Sequence, residues 1–168
     1  MNTRLFKRRR LGAVLVEALL AIPVLVLLSL AGVQYVQAVV VQQAVQAAAD
    51  AAAREGAKFS LDDRSDRVQR VVNQHLSRLG VAVVPQGGIR VDVCVGGAPI
   101  PIANPLGDAT LPVPFAPGAQ PKLDSDPDVV RVTVQVRYGA TRLPDALTYF
   151  GIDFGQRVFK ATAFARTQ

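Results

Sequence analysis

The chain has 168 residues, half of them hydrophobic, with a formal net charge of +6 and a mean hydropathy of +0.26. Residues 1–12 hold five Lys or Arg and no acid, leaving 14 basic against 13 acidic groups in the remainder, so the basic pI gives no case for a nucleic-acid partner. A single cysteine (Cys94) excludes an internal disulfide, a single histidine (His75) leaves no ordinary zinc set, and the length allows one modest domain.

The first element is the basic leader and the apolar run behind it. Arg4, Lys7, Arg8, Arg9 and Arg10 precede Gly12, and from Leu11 to Val33 the one charge is Glu17. Those 23 residues can cross a bilayer, which takes ~20 apolar helical residues. The leader acts as an orientation signal, since positive residues beside a span stay cytoplasmic; the C-terminal part is then expected across the membrane. An ionisable group within such a helix is expensive and marks a functional position, so Glu17 is the residue to explain. A cleavable secretory signal is the competing interpretation, with Ser29-Leu30-Ala31 as its cut site. Glu17 inside the apolar region and the helical pattern continuing past Ala31 stand against it.

Pro23 lacks the N–H that would bond the Leu19 carbonyl, so it is either a packing kink or one of the prolines common in membrane helices. Beyond Val33 the helical pattern continues to about Ser60. Gln34, Gln37, Gln42, Gln43 and Gln46 form a polar side, and Val36, Val39, Val40, Ala44, Ala47, Ala48, Ala51 and Ala52 an apolar stripe. Ala44, Ala48 and Ala52 recur every fourth residue, a spacing of small side chains that lets another backbone approach closely. That backbone belongs either to the protein's own sheet or to the helix of another subunit.

Two stretches, RRRLGAVLVEALLAIPVLVLLSLAGVQYVQ and AVQAAADAAAREGAKFS, resemble the TadE-like minor pseudopilins of tight-adherence (Flp) pili, within the type IV pilin superfamily. The shared pattern is basic residues, Gly12, an apolar stretch with Val16-Glu17, the apolar-Pro23 step, and an Ala-rich helix closing on Ala-Ala-Arg-Glu-Gly-Ala. It covers roughly the first 60 residues. Ala18 departs from it, since aromatics often follow the glutamate. The resemblance implies cleavage between Gly12 and Ala13 by a prepilin peptidase. It assigns Glu17 to subunit register in assembly and favours a helix kink at Pro23, while helix packing through Ala44, Ala48 and Ala52 rests on their spacing. It also implies partners among other pilins and pseudopilins and an inner-membrane assembly platform, with no cofactor.

A second, shorter helix is expected after residue 61, capped by Asp62, Asp63 or Ser65, with Val68, Val72, His75, Leu76 and Leu79 along one face and Gly80 at its end. Val81–Val84, Pro85 and the Gly87-Gly88 turn follow. Residues 89–95 and 130–138 alternate cleanly and predict two half-buried strands with valine inward. Residues 156–166 predict a third, with Phe159, Ala161, Ala163 and Ala165 on one side. Between the first two lie residues 96–128, holding eight of the eleven prolines; loops of that length tend to be functional or disordered. Residues 139–155, with Leu143, Leu147, Tyr149, Phe150 and Phe154, are expected to pack over the sheet or to form a contact. Cys94 is either a small buried residue of its strand or a thiol that pairs with a partner.

Catalytic motifs are missing: there is no nucleophile elbow, phosphate loop or dinucleotide fingerprint. Asp124, Asp126 and Asp128 imitate the start of a calcium loop, but Val129 and Gln135 stand where its glycine and bidentate glutamate belong, so no metal site is expected. Arg64, Arg67, Arg70 and Arg78 interleave with Asp62, Asp63 and Asp66 as a solvated face.

The expected fold is α+β and pilin-like: a long transmembrane and periplasmic α-helix packed on a small antiparallel sheet, with one further short helix. The expected division is a leader at 1–12, a helix at 13–60 that spans the membrane up to about residue 33, and a periplasmic domain at 61–168 with the Pro-rich loop 96–128. The expected function is that of a non-enzymatic minor pseudopilin in a bacterial inner membrane, single-pass with its N-terminus cytoplasmic, taking part in assembly of the pilus. The alternative is a periplasmic binding module held permanently by an uncleaved helix.

Overall fold

The computed structural model describes residues 3–59, 61–80, 87–95, 98–99, 106–112 and 128–167. Val81–Val84, Pro85, Asp124, Asp126 and most of the 96–128 stretch lie outside the described residues. Helix α1 runs from Thr3 to Gly56 without interruption, through both Gly12 and Pro23. It therefore begins inside the basic leader and ends some four residues short of the expected Ser60. Helix α2 (Leu61–Leu76) folds back on it and tightens into a 3₁₀ turn at Ser77–Leu79, closed by Gly80 in the left-handed region at φ 73°.

Three long strands follow, β1 (Ile89–Val95), β4 (Val129–Arg137) and β5 (Val158–Arg166), with two-residue strands β2 (Ala98–Pro99) and β3 (Leu106–Gly107) between the first two. Among the described residues all pairings are antiparallel: β4 is central, β1 and β5 flank it, and both short strands lie along the outer edge of β1. The fold is α+β. The Pro-rich stretch thus returns twice to the sheet and covers an edge that would otherwise be open to pairing with another chain. Sequence patterning missed these strands because two residues carry no alternation. Close approach of β3 depends on Gly107, at φ 106°, where an added Cβ would overlap the Ile89 carbonyl oxygen. Asp108 beside it accepts from the Thr110 hydroxyl at 2.6 Å and the Thr110 amide at 2.8 Å. Those bonds, the hydroxyl's first, hold its carboxyl below the usual carboxylate range.

Strand register stacks the apolar residues in rows across the sheet. Ile89, Val136 and Phe159 form one row; Val91, Val134 and Ala161 the next; then Val93, Val132 and Ala163; then Val95, Val130 and Ala165. This face meets Val41, Val45, Ala48, Ala49, Ala52 and Ala53 of α1 and Val68, Val72 and Leu76 of α2 in one core. Each fully buried valine stabilises the fold by about 1.5–3 kcal/mol relative to exposure. Helix α1 packs on β5 and β4, and β5 carries alanine where the rows on β4 and β1 carry valine. Small residues on both sides let the helix lie close to the strand.

On the opposite sheet face the central strand is also buried, while β5 leaves Val158, Lys160, Phe164 and Arg166 exposed. Arg131, Thr133 and Gln135 of β4 are buried, so that strand is sunk on both sides rather than half-buried as its alternation suggests. Thr133 bonds Thr162 across β4–β5 at 3.2 Å, and Arg131 Nη2 donates to Cys94 Sγ at 3.2 Å. Cys94 is buried on this polar face, and its thiol acts as an acceptor within it.

Candidate functional site

From Val14 to Ser29 helix α1 stands clear of the domain, its leucines and valines exposed, and its most apolar window has a hydropathy of 2.6 with none of it buried. A bare apolar helix of this length is one that a bilayer can cover. Gly12 and Ala13 lie on it, and Glu17 is exposed one turn beyond Ala13, about 6 Å along the axis and on nearly the same face. Ser29, the hydroxyl in this segment, donates to the Leu25 carbonyl at 2.8 Å and so is satisfied within the helix. The helix continues through Pro23, whose missing N–H leaves the Leu19 carbonyl without its usual partner.

Ala44, Ala48 and Ala52 are far from these residues. Ala48 sits about 46 Å up the helix from Glu17 at 1.5 Å per residue. Ala48 and Ala52 are fully buried in the core of the protein's own domain, and Ala44 packs against its edge. The candidates thus fall into two groups, one on the bare segment and one inside the domain.

Between them lies a junction that sequence reasoning missed. Gln34, the first residue after the apolar run, is 2% exposed although patterning places it on the polar side of α1. Its Nε2 donates to Asp145 Oδ1 at 3.0 Å and to Tyr138 Oη at 3.3 Å. Tyr138 Oη donates in turn to Gln37 Oε1 at 2.9 Å, and Asp145 Oδ2 accepts from the Phe154 amide at 2.9 Å. This network ties the middle of α1 to the segment that links β4 and β5. Val36, Val39 and Val40, assigned to the apolar stripe, are 60%, 37% and 46% exposed, and the domain-facing residues are Gln34, Val41, Val45 and Ala48. The face that points inward is rotated from the predicted one, because a helix rich in Ala and Val all round has little periodicity of its own to choose it.

Burial, then the negative charge of Asp145, pushes the Tyr138 phenol above its ordinary value of 10.0. An unfolded chain releases that proton near pH 10 while the folded one keeps it. The contribution is therefore fully present below pH ~10 and is lost as pH rises through the raised value. Melting temperature of the detergent-solubilised chain is expected to fall more steeply above pH 10 than that of Tyr138→Phe. At neutral pH that variant is about 1 kcal/mol less stable, from the lost hydrogen bond.

His75 is exposed, its Nδ1 3.0 Å from the Val71 carbonyl of the preceding turn. Among the described residues no three His, Cys, Asp or Glu side chains converge as metal ligands.

An apolar helix bearing one carboxylate, running straight into the core of a small α+β domain, is what the comparison with known families meets. Residues 12–54 match the family of TadE-like proteins. The match starts at Gly12 and stops two residues before α1 ends, so it covers the bare segment, the Gln34 junction and the alanines of the core. It is the family that the opening residues resemble. The TadE-like segment is about a quarter of the chain, and the strands lie outside it. No curated protein and no solved structure matches the chain.

Proposed function

We propose that this protein is a TadE-like pseudopilin that takes part, without catalysis of its own, in assembly of a tight-adherence pilus. It is made as a single-pass precursor in the inner membrane, with residues 1–12 cytoplasmic and the domain from residue 61 in the periplasm. A prepilin peptidase cuts between Gly12 and Ala13. The freed Ala13 amine then pairs with Glu17 of a neighbouring subunit and sets the register of packed helices. Its partners are other pilins and pseudopilins and the inner-membrane assembly platform.

The observation that carries this reading is the TadE-like match over 12–54, which contains Gly12, Ala13 and Glu17 together on one helix. Carboxylate and amine one turn apart are complementary, and a charge in lipid is tolerated when paired. The exposed strip of α1 also extends past the span through Val36 and Val40, leaving helix surface for a neighbour after the domain has taken the opposite side. Pro23 supports a local bend where helices converge.

Mass and N-terminal sequence of the protein extracted from membranes test the processing step. Loss of residues 1–12, exposing Ala13, is the expected result. A chain that keeps Met1 in cells containing the peptidase points instead to a permanently anchored binding module, and a start at Gly32 to ordinary secretion.

A further inference from the structure

The segment linking β4 and β5 carries exposed apolar side chains that its neighbours do not explain. Tyr149 is 92% exposed, Phe150 53% and Ile152 51%, whereas Leu147 between them and α1 is buried and fixes the turn. The turn is rigid. Ala146–Phe150 form a 3₁₀ helix closed by Gly151 at φ 78°, whose amide donates to the Thr148 carbonyl at 3.0 Å, and the Ile152 amide reaches Leu147 at 3.2 Å. These side chains are held outward by structure.

Their position along α1 is set by hydrogen bonds. Asp145, the residue before the turn, is held by Gln34, one residue beyond the apolar run, and the turn itself packs against α1. The domain also reaches below Gln34: Leu30, one turn into the apolar run, is partly buried, while every other residue from Val14 to Val33 is exposed. Tyr35, 71% exposed, stands on α1 at the same height. The nearby charges are engaged within the segment, although Asp153 stays exposed beside Ile152. Asp145 is engaged by Gln34 and Phe154, Asp153 accepts from the Gly155 amide at 2.7 Å, and the Arg157 guanidinium lies 4.8 Å over the Phe154 ring.

We infer that Tyr149, Phe150 and Ile152 seat in the headgroup region of the bilayer that α1 crosses, so that the domain rests on the membrane rather than swinging above it. This rests on α1 being membrane-spanning. The occupant is lipid because the turn is pinned to α1 at Gln34, where the apolar run ends, and Leu30 within that run is already partly covered. A tyrosine with an apolar ring and a polar tip suits an interface that is apolar on one side and wet on the other.

The test uses the full chain in nanodiscs of phosphatidylethanolamine and phosphatidylglycerol, with a Cys94→Ser parent. Single spin labels are placed at Tyr149→Cys, Phe150→Cys and Ile152→Cys, with Leu25→Cys as the lipid control and Asp66→Cys on α2 as the water control. Relaxation by oxygen relative to a water-soluble nickel chelate is expected to be clearly higher at the three tip sites than at Asp66 and lower than at Leu25, the order that headgroup depth dictates. Water-like tip sites beside a lipid-like Leu25 overturn the docking and leave the span intact. A water-like Leu25 overturns the span, and the docking with it. Tip labels that broaden one another, and sharpen on dilution with unlabelled chain, overturn the lipid assignment in favour of a contact between copies.

Discussion

Glu17→Gln is expected to abolish entry of the protein into the pilus complex while leaving it inserted in the membrane and cleaved after Gly12. The substitution keeps side-chain size and shape, removes the charge and replaces one acceptor oxygen by an NH2 donor. If Glu17 pairs with the Ala13 amine of a neighbour in low dielectric, its loss strands that cation, and breaking such a pair costs about 3–5 kcal/mol. At about 1.4 kcal/mol per tenfold, co-purification with partner subunits should fall at least 100-fold. Glu17→Asp, which keeps the charge but shortens the reach, is expected to recover part of it. The measurement is affinity capture of partner subunits from membranes, with N-terminal sequencing of the same sample to show that processing is unchanged. Normal capture and piliation with Glu17→Gln would remove the carboxylate from the mechanism. Failure of cleavage would move its role to peptidase recognition.

The second large effect is expected deep in the domain. Ala48→Leu and Ala52→Leu should each destabilise the folded chain by about 1–3 kcal/mol through overpacking. Both alanines are fully buried, α1 lies on β5 and β4, and β5 presents Ala161 and Ala163 in the same core. Extra side-chain atoms there have no space to enter unless the helix lifts off the sheet. One turn apart, the two sites share one contact, so the double variant will not be the sum of the singles. Against a typical total of about 5–15 kcal/mol, either loss is large. Thermal melts in detergent should drop by several degrees for each, whereas Val40→Leu, on the exposed side of the same helix, should leave the melt unchanged. A folded Ala48→Leu protein with wild-type melting that fails to join its partners would assign the alanine stripe to contact between subunits instead.

What could be read directly from the chain is what depends on neighbours within a few residues. The uncharged run, the leader that precedes it and the isolation of Glu17 are properties of consecutive residues, and so is the family pattern at 12–54. The valine alternations of β1 and β4 and the Val68, Val72, Leu76 face of α2 are likewise local, because strand and helix geometry alone decide which residues share a side. Tertiary structure decided which of those sides is covered. Gln34 is buried and Val36 and Val40 are not, because Tyr138 and Asp145, more than 100 residues away, supply partners for the Gln34 amide. Both faces of β4 are enclosed, although its sequence resembles that of a strand with one side in water. The division of residues 139–155 into a buried Leu147 and an exposed Tyr149 and Phe150 follows from where the turn meets α1. Periodicity assigns residues to a face, but only the elements that arrive from elsewhere in the chain determine whether that face meets protein, water or lipid.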